Sequence, residues 1–362
     1  MTATVTGHLG AKTWKAFKMA PHGCAEDNIT PLVASSCANV QEALDLIGRV
    51  MAKNGTREPN IYMLADQKEA WLVETYITNL WAAMRMPADK VMAFGNHFIL
   101  EGYDPKSPDW RAAPEIESAA KEKGLAVYTD DGKLHLYRTY DGARTFAPNI
   151  RTYHAHRLMA PGTEGEYHDL REMPNPFAPG RKLGPRDLMA FMRTHYEGTR
   201  WSQEEHGRED VRVIGDDSQA TCHVISLRDD LPPERAATVW SCLGPSEFSL
   251  FIPLGNAITR TIPEFAADAE KFERRDAFYP DRFAGDAFYR LISLAQQNRE
   301  LYGKGVRDYW AKREDEFFAK WPKILASGDA AAMTAYVCSE QRRALDDVNR
   351  MAEEILYKMS KN

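Results

Sequence analysis

The cysteines of this sequence are the first residues to consider for chemistry. The 362 residues include five of them, widely spaced and without a CxxC pair, so we expect neither a disulfide framework nor a structural zinc site. Cys24 lies near the start in an irregular stretch with Pro21 and Gly23, where a nucleophile is conceivable. A loop cysteine without a chemical role is the favoured interpretation, because a reactive thiol needs a nearby base and no processing signal precedes Cys24. The other four are Cys37, Cys222, Cys242 and Cys338.

His154 and His156 form an HxH pair. If the pair lies on a strand, both side chains share one face and could ligate a metal ion. No carboxylate or cysteine cluster flanks the pair, which favours packed or solvated histidines. We therefore expect no metal and no other cofactor.

Two polar side chains interrupt apolar, strand-like segments. Arg85 follows a run of apolar residues, so its guanidinium must contact either a carboxylate or solvent. His223 shares one strand face with Ile225, which favours a buried core histidine over a catalytic one. Arg228 is five positions further on, so a regular strand would place it on the opposite face from His223.

Composition and the absence of common motifs exclude several classes of protein. The chain is 44% apolar and 27% charged with a net charge of −6, which excludes wholesale disorder and gives no reason to expect a nucleic-acid or membrane partner. It contains no stretch typical of a membrane span or a leader, so we expect a cytoplasmic protein. GxGxxG, GxxxxGK[ST], HExxH and GxSxG sequences are all missing, which disfavours a doubly wound nucleotide fold.

Hydrophobic patterns in the first hundred residues predict a helix followed by four antiparallel strands. The helix spans 37–53, with Asn39 as its N-cap and Gly55 just beyond its end. The first two strands form a hairpin, because a polar turn separates two apolar runs. The four predicted strands span 61–65, 70–74, 81–86 and 91–94.

The remainder of the chain alternates between irregular, strand-like and helical segments. Residues 103–185 are rich in Pro and Gly and are predicted to be an insertion with a helix at 113–123 and a short strand pair at 126–128 and 133–137. A helix begins at Pro185. Three further strands are predicted over 220–228, 237–243 and 248–254, and the pattern is almost wholly helical from 263 onward.

This order of elements predicts an α+β protein with helices on the outer faces of antiparallel sheets. We predict a core domain over 1–262, which contains the insertion at about 103–185, and a helical region over 263–362 that packs on the core.

Several sequence blocks, taken in order, resemble the cysteine dipeptidases of the dipeptidase A type, a branch of the N-terminal-nucleophile (Ntn) hydrolases. No single block is specific, but their order and spacing extend over most of the chain. The blocks are MTAT (1–4), EDNITPLV (26–33), ADQKEAWLVE (65–74), WAAMRMPADKVMAFGN (81–96), MRTHYEGT (192–199) and CHVISLRDDLPPERAATVWSCLGPSEFSLFIPL (222–254).

The resemblance implies an Ntn-hydrolase-like αββα sandwich and the hydrolysis of short unblocked peptides. In this family an N-terminal cysteine attacks the peptide carbonyl, and its own α-amine acts as the base. The segment MTAT resembles an internal part of those enzymes, so the first strands and the nucleophile are expected to be missing from this sequence. Three explanations are open: a misassigned start or truncation, a second polypeptide that completes the sheet, or an inactive binding relative.

Four residues are candidates for the site, Asn96 through the resemblance and the other three through their residue chemistry. Asn96 occupies the position that offers an amide to the oxyanion, although a turn asparagine after Gly95 is the alternative. Arg85 would bind the substrate carboxylate or form a surface salt bridge, and Glu197 would bind the free α-amino group of a dipeptide or simply end a helix. His223 is a further substrate-binding candidate. The expected partners are a dipeptide substrate and either a second copy of the chain or a complementing N-terminal polypeptide.

Overall fold

The computed structural model describes residues 2–141, 146–167, 173–208, 210–266 and 283–361. The chain forms two compact units, Met1–Lys182 and Leu183–Asn362, which we call unit 1 and unit 2. The sequence-based boundary between 262 and 263 and the insertion at 103–185 stay predictions.

Unit 1 contains an antiparallel sheet in which spatial order follows chain order, β1-β2-β3-β4-β5. The predicted hairpin is confirmed: Leu64 lies opposite Trp71, and the Asp66 carboxylate closes the turn by accepting hydrogen bonds from the Lys68 and Glu69 N–H groups at 2.8 and 3.1 Å. The strands are β1 (Thr2–Thr6), β2 (Asn60–Ala65), β3 (Ala70–Thr75), β4 (Trp81–Arg85) and β5 (Trp110–Ala112).

The helix predicted over 37–53 forms as Val40–Asn54 and covers one face of this sheet. The Asn39 side chain caps it by accepting a hydrogen bond of 3.0 Å from the Glu42 N–H. Its apolar stripe, including Ile47, packs on inward residues of the sheet such as Val73. The helices of unit 1 are α1 (Ala11–Ala16), α2 (Glu26–Ser36), α3 (Val40–Asn54), α4 (Ile116–Glu122), α5 (Leu136–Tyr140) and α6 (Phe146–Met159).

The strand predicted over 91–94 was wrong. Val91 forms only an isolated bridge with Phe177, and the Asn175 side chain bonds to the backbone of Ala93 in both directions, at 2.7 and 3.3 Å. Segment 91–94 therefore finds its hydrogen bonds with residues more than eighty positions away, and β1 and β5 complete the sheet instead. The strand predicted over 133–137 also differs, because Leu136 begins helix α5.

Unit 2 combines a three-stranded antiparallel sheet, in the order β6-β7-β8, with long helices. Alternate β7 residues such as Trp240 and Cys242 point into a core that includes Trp321. The strand predicted over 248–254 is shorter, because Ser246–Phe248 forms a 3₁₀ turn. The main elements are α7 (Pro185–Arg193), α8 (Gln203–His206), β6 (Thr221–Leu227), β7 (Ala237–Leu243), β8 (Ile252–Gly255), α9 (Ala284–Gln296), the π-helical turn Arg299–Gly303, α10 (Lys304–Ser327) and α11 (Ala330–Met359).

The fold class is therefore α+β with antiparallel sheets and C-terminal helices, as predicted. The finer expectation of an Ntn-type αββα sandwich stays a prediction. Among the described helices, none combines the length and the apolar character that crossing a membrane requires.

Candidate functional site

Asn96 has a side-chain amide whose orientation is fixed at both ends. The residue is exposed on the segment that follows β4. Its Nδ2 donates a hydrogen bond of 3.1 Å to the Thr6 carbonyl at the end of β1, and its Oδ1 accepts one of 3.0 Å from Arg151 on α6. One Nδ2 hydrogen remains, and no residue in the described ranges accepts it. Asn96 thus presents an oriented N–H donor to solvent.

A buried carboxylate anchors the backbone just beyond Asn96. Glu74 on β3 is fully buried, and its Oε1 accepts hydrogen bonds from the N–H groups of Ile99 and Leu100 at 2.6 and 3.1 Å. The Tyr76 hydroxyl donates to the other oxygen at 2.7 Å. Burial raises the pKa of Glu74 to about 7, because desolvation of the charged form outweighs these three hydrogen bonds.

A second carboxylate holds the same segment from the other side. Asp141 accepts a hydrogen bond of 3.1 Å from the Phe98 N–H, and its other oxygen lies 3.1 Å from His8 Nδ1. The chain passes closely here: a Cβ on Gly7 would lie 2.6 Å from the Phe98 ring, so only glycine fits without a shift. Glu74 and Asp141 together fix three successive N–H groups that follow the Asn96 region.

Arg85 lies at the end of β4 with 44% of its side chain exposed. Its guanidinium forms ion pairs with Glu69 at 3.2 Å and Asp109 at 3.4 Å and lies over the Trp71 ring. These contacts are those of a surface salt bridge, one of the two alternatives for this residue. Among the described residues, the ion-pair partners of Arg85 are not the hydrogen-bond partners of Asn96, and the role of Arg85 as a substrate clamp stays a prediction.

Glu197 lies in the turn after α7 and is exposed. Its Oε2 accepts hydrogen bonds from the Thr194 hydroxyl at 2.8 Å and the His195 N–H at 3.2 Å, so the carboxylate stabilises the turn in which Tyr196 has φ +67°. Binding of a substrate amino group by Glu197 stays a prediction.

The expectation that His223 lies in the core was wrong. His223 is exposed on β6, whereas its neighbours Cys222 and Val224 are buried. The inward face of β6 is the one that packs with Trp240, so the alternation places His223 on the outer face.

His154 and His156 do not lie on a strand, the arrangement in which both side chains could share one face and ligate a metal ion. Both histidines are on α6, where side chains two positions apart point to different sides of the helix. His156 Nε2 lies 2.8 Å from the Pro174 carbonyl oxygen, and its ring stacks on Phe177. Packing therefore accounts for His156.

The cysteine environments are those of packed side chains. Cys24 is only 6% exposed, and burial raises the pKa of its thiol, although a hydrogen bond with Asn54 opposes the shift. Its backbone N–H donates to the Gly55 carbonyl at 2.8 Å. Cys222 and Cys242 are buried opposite each other on β6 and β7.

The sequence analysis did not find the buried ionic network around His195. His195 is fully buried, with Nδ1 at 2.8 Å from the Glu204 carboxylate and Nε2 at 2.7 Å from the Gly215 carbonyl. Both ring nitrogens therefore face acceptors. Burial alone would lower the pKa of His195, but Glu204 and the negative charge of Glu247 outweigh it and raise the pKa.

Two arginines complete this network. Glu247 is 4% exposed and pairs with both Arg299 and Arg307, and Arg299 also contacts Asp217 at 2.7 Å. One ligand atom from each of His195, Asp217 and Glu247 lies within 4.8 Å of the other two, a donor set that could hold a cation. Because Arg299 pairs with both carboxylates, a side chain of the protein already supplies the positive charge.

Comparison with known proteins gives a consistent family. The model of peptidase family C69 matches residues 1–302. A probable dipeptidase B of Lactococcus lactis subsp. lactis (strain IL1403) is 24% identical over 316 residues, covering 83% of this chain and 66% of the relative. A probable dipeptidase B of Streptococcus pyogenes serotype M1 is 22% identical over 92% of this chain and 69% of its own length. Dipeptidase A of Lactobacillus helveticus is 23% identical over 74% of this chain and 58% of its own length.

The chain thus spans about two thirds of the length of the first two relatives, 66% and 69%. The family match extends over five sixths of the chain and includes the sheet of unit 1, the Asn96 segment and the sheet of unit 2. On this match, the chain belongs to peptidase family C69.

Proposed function

We propose that this chain serves the hydrolysis of short, unblocked peptides by Ntn-type cysteine acyl transfer. Membership of a peptidase family and similarity to proteins named dipeptidase support the reaction class. The structural observation that supports the mechanism is the Asn96 amide, which Thr6 and Arg151 hold in one orientation with a free N–H.

In the proposed reaction, a cysteine thiolate attacks the peptide carbonyl carbon after its own α-amine has accepted the thiol proton. The carbonyl oxygen then carries a negative charge, and the free Asn96 N–H donates a hydrogen bond to it. Cleavage of the C–N bond transfers the proton to the leaving amine and leaves an acyl-enzyme. Water attacks this thioester and releases the carboxylic acid and the thiol.

We propose that the nucleophile is none of the five cysteines of this sequence. The mechanism needs a cysteine whose α-amine is free. The Cys24 nitrogen is instead part of a peptide bond, and its N–H donates a hydrogen bond to the Gly55 carbonyl. The raised pKa of the Cys24 thiol also lowers the thiolate fraction at neutral pH. The nucleophile would come from a preceding segment or from a second polypeptide.

The β1 edge supports this supply of the nucleophile. In the described part of unit 1, β1 is an edge strand that pairs only with β2, with Thr6 opposite Asn60. An edge of this kind can accept one more strand through its unpaired backbone groups. A strand added there would lie beside Thr6, whose carbonyl accepts the Asn96 hydrogen bond.

A dipeptide hydrolysis assay tests the proposal. Purified 1–362 is compared with a form that carries the in-frame upstream coding sequence and with 1–362 co-expressed with that upstream segment. We expect hydrolysis of alanylalanine in the two completed forms, and its loss when the first cysteine of the added segment is replaced by alanine. Activity of 1–362 alone that disappears in Cys24→Ala would contradict the proposed nucleophile. The lack of hydrolysis in every form would contradict a peptidase and favour a binding protein.

A further inference from the structure

Unit 1 contains a small polar cleft beside the Asn96 segment. It has a volume of about 250 Å³ and is partly open to solvent. We call it the His97 cleft, and its lining residues come from the Asn96 segment, from α5 and α6, and from the segment before Phe177. They include His97, Glu101, Asn149, Thr152 and Asn175.

Two buried side chains of this cleft have a polar atom that no described residue hydrogen-bonds. His97 is 5% exposed and Thr152 is 3% exposed. The Nδ1 of His97 and the Oγ1 of Thr152 have no hydrogen-bond partner among the residues that the structure describes. A buried polar atom without a hydrogen-bond partner costs free energy. A ligand that hydrogen-bonds to these two atoms would therefore remove that cost, which favours binding. By contrast, the Asn175 side-chain amide accepts a hydrogen bond from the Ala93 N–H and donates one to the Ala93 carbonyl, so it lines the cleft without being offered to a ligand.

The charge of the cleft selects the kind of ligand. Glu101 stands at its rim with 53% of its side chain exposed, and His135 holds one carboxylate oxygen at 3.2 Å. None of the described lining residues is Lys or Arg. A protonated amine can therefore pair with Glu101, whereas a carboxylate inside the cleft would meet neither Lys nor Arg among the described lining residues.

The cleft also lies next to the oriented amide. His97 follows Asn96 in the chain, and Thr152 follows Arg151, the residue that bonds to Asn96 Oδ1. Thr152 and Asn149 are three positions apart on α6 and so share one helix face, which lines the cleft.

We infer that the His97 cleft binds the amino-terminal residue of a short peptide, with the protonated α-amine at Glu101 and the amide N–H at His97. The carbonyl oxygen of that residue accepts from the Thr152 hydroxyl with one lone pair and faces the Asn96 N–H of the proposed mechanism with the other. This inference rests on the proposed function, because it supplies the substrate end that an enzyme for unblocked peptides must recognise. It favours a peptide over a free amino acid, since the carbonyl that enters the cleft is then part of a neutral amide.

Three small ligands test the amine and amide contacts separately. None of them contains a peptide bond between two residues that the protein could hydrolyse. Alaninamide has a free amine and a neutral amide, N-acetylalaninamide lacks the free amine, and alanine has a carboxylate in place of the amide. Ligand-detected NMR titration of the full chain near neutral pH measures their binding. We expect alaninamide to bind roughly tenfold or more tightly than either of the other two. Equal binding of all three would overturn the inference.

Two variants and a control locate the binding site. Glu101→Gln should weaken alaninamide binding by roughly tenfold or more, because it removes the charge-assisted contact. Thr152→Val should weaken it by up to about tenfold without lowering the unfolding midpoint, because the hydroxyl has no partner among the residues that the structure describes. Glu122→Gln is the matched control: Glu122 is exposed on α4 and pairs with Lys123, and binding should not change.

Unchanged binding in both Glu101→Gln and Thr152→Val would overturn the inference, even if dipeptides are hydrolysed. Conversely, selective binding of alaninamide that depends on Glu101 in a chain that hydrolyses no peptide in any form would support the cleft and contradict the proposed peptidase. The two proposals therefore fail on different measurements.

Discussion

The guanidinium of Arg151 donates a hydrogen bond of 3.0 Å to the side-chain carbonyl of Asn96. These residues are 55 positions apart, on α6 and on the segment after β4. The bond leaves the Asn96 amide only one orientation, in which Nδ2 faces the Thr6 carbonyl. An oxyanion donor has to be oriented before the reaction, so in the proposed mechanism Arg151 is a positioning residue for Asn96.

Replacing Asn96 should lower kcat with little change in KM. In the completed, active form, Asn96→Ala removes a donor that acts on the oxyanion, and the expected loss in kcat is about 100-fold. Steady-state kinetics with alanylalanine measures the effect. Asn79→Ala, in a turn of the same unit, is the control and should retain normal kcat. A normal kcat in Asn96→Ala would exclude Asn96 as the oxyanion donor.

Glu74 should make the protein less stable as pH rises from about 4.5 to 7. Its pKa in the folded protein is about 7 against an ordinary value of 4.5, so the folded state holds a proton that the unfolded state releases in this range. The free energy of unfolding should fall by an amount on the order of 3 kcal/mol across that interval. Urea unfolding of wild type and Glu74→Gln at both ends of the range measures this contribution.

Glu74→Gln isolates the effect of the titrating proton, because glutamine can form the same hydrogen bonds as glutamate but does not titrate. Its carbonyl oxygen can accept from Ile99 and Leu100, and its amide can donate to the Tyr76 hydroxyl. The variant should fold and lose this part of the pH dependence. An identical pH profile in both proteins would show that Glu74 does not titrate in this range.

His195 should contribute stability at low pH that is lost at high pH. Its folded-state pKa is raised, so its contribution is complete below the ordinary pKa of about 6.5 and disappears as pH rises through the folded-state value. His195→Gln should cost about 3 kcal/mol at pH near 6, because Glu247 loses a buried positive partner. His206→Gln, an exposed histidine on α8, serves as the control in the same unfolding experiment. A variant His195→Gln as stable as wild type would exclude a charged His195.

The thiols should react with a disulfide reagent in two classes. Cys37 and Cys338 are half-buried and should be modified in the folded protein, whereas the three buried cysteines should react only after unfolding. Mass spectrometry after timed labelling identifies each class. We also expect Cys24→Ala to retain the hydrolysis of the completed form. Rapid labelling of Cys24 in the native protein would contradict its inert setting.

Replacing Arg85 by alanine should distinguish its two predicted roles, a surface salt bridge and a substrate clamp. If its contacts with Glu69 and Asp109 are its whole role, Arg85→Ala should change the free energy of unfolding by about 1 kcal/mol or less and leave KM unchanged. A substrate clamp would instead raise KM. Kinetics of the completed form decide between the two, with Arg111→Ala on the neighbouring strand as the control.

Local patterns predicted the elements whose stabilising contacts are close in sequence. The α3 helix could be located because its N-cap, its apolar stripe and Gly55 all lie within one segment. The β2–β3 hairpin could be located because its pairing follows directly from a polar turn. Segment 91–94 has an equally apolar pattern, but its partner is Asn175, and no periodicity reveals a partner at that distance.

The sites show the same limit. Glu74 gave one local signal, a carboxylate within the apolar run of β3, but its acceptor role depends on Ile99 and Leu100. His195 and Glu247 gave none, since 52 residues separate them. The outward direction of His223 depends on which face of β6 packs on Trp240, and alternation alone cannot choose between the two faces.

The sequence by itself determined the α+β class, the local elements whose stabilising contacts are close in sequence and, through the order of its blocks, the peptidase family. Only the tertiary structure decided that Arg151 orients Asn96, that two buried carboxylates hold the segment behind it, and that Thr152 and His97 meet in one cleft. The physical reason is the sequence separation over which each kind of interaction acts. Capping, turn formation and amphipathic periodicity act over a few residues, whereas a site is formed by side chains that only the packing of distant segments brings within hydrogen-bond distance.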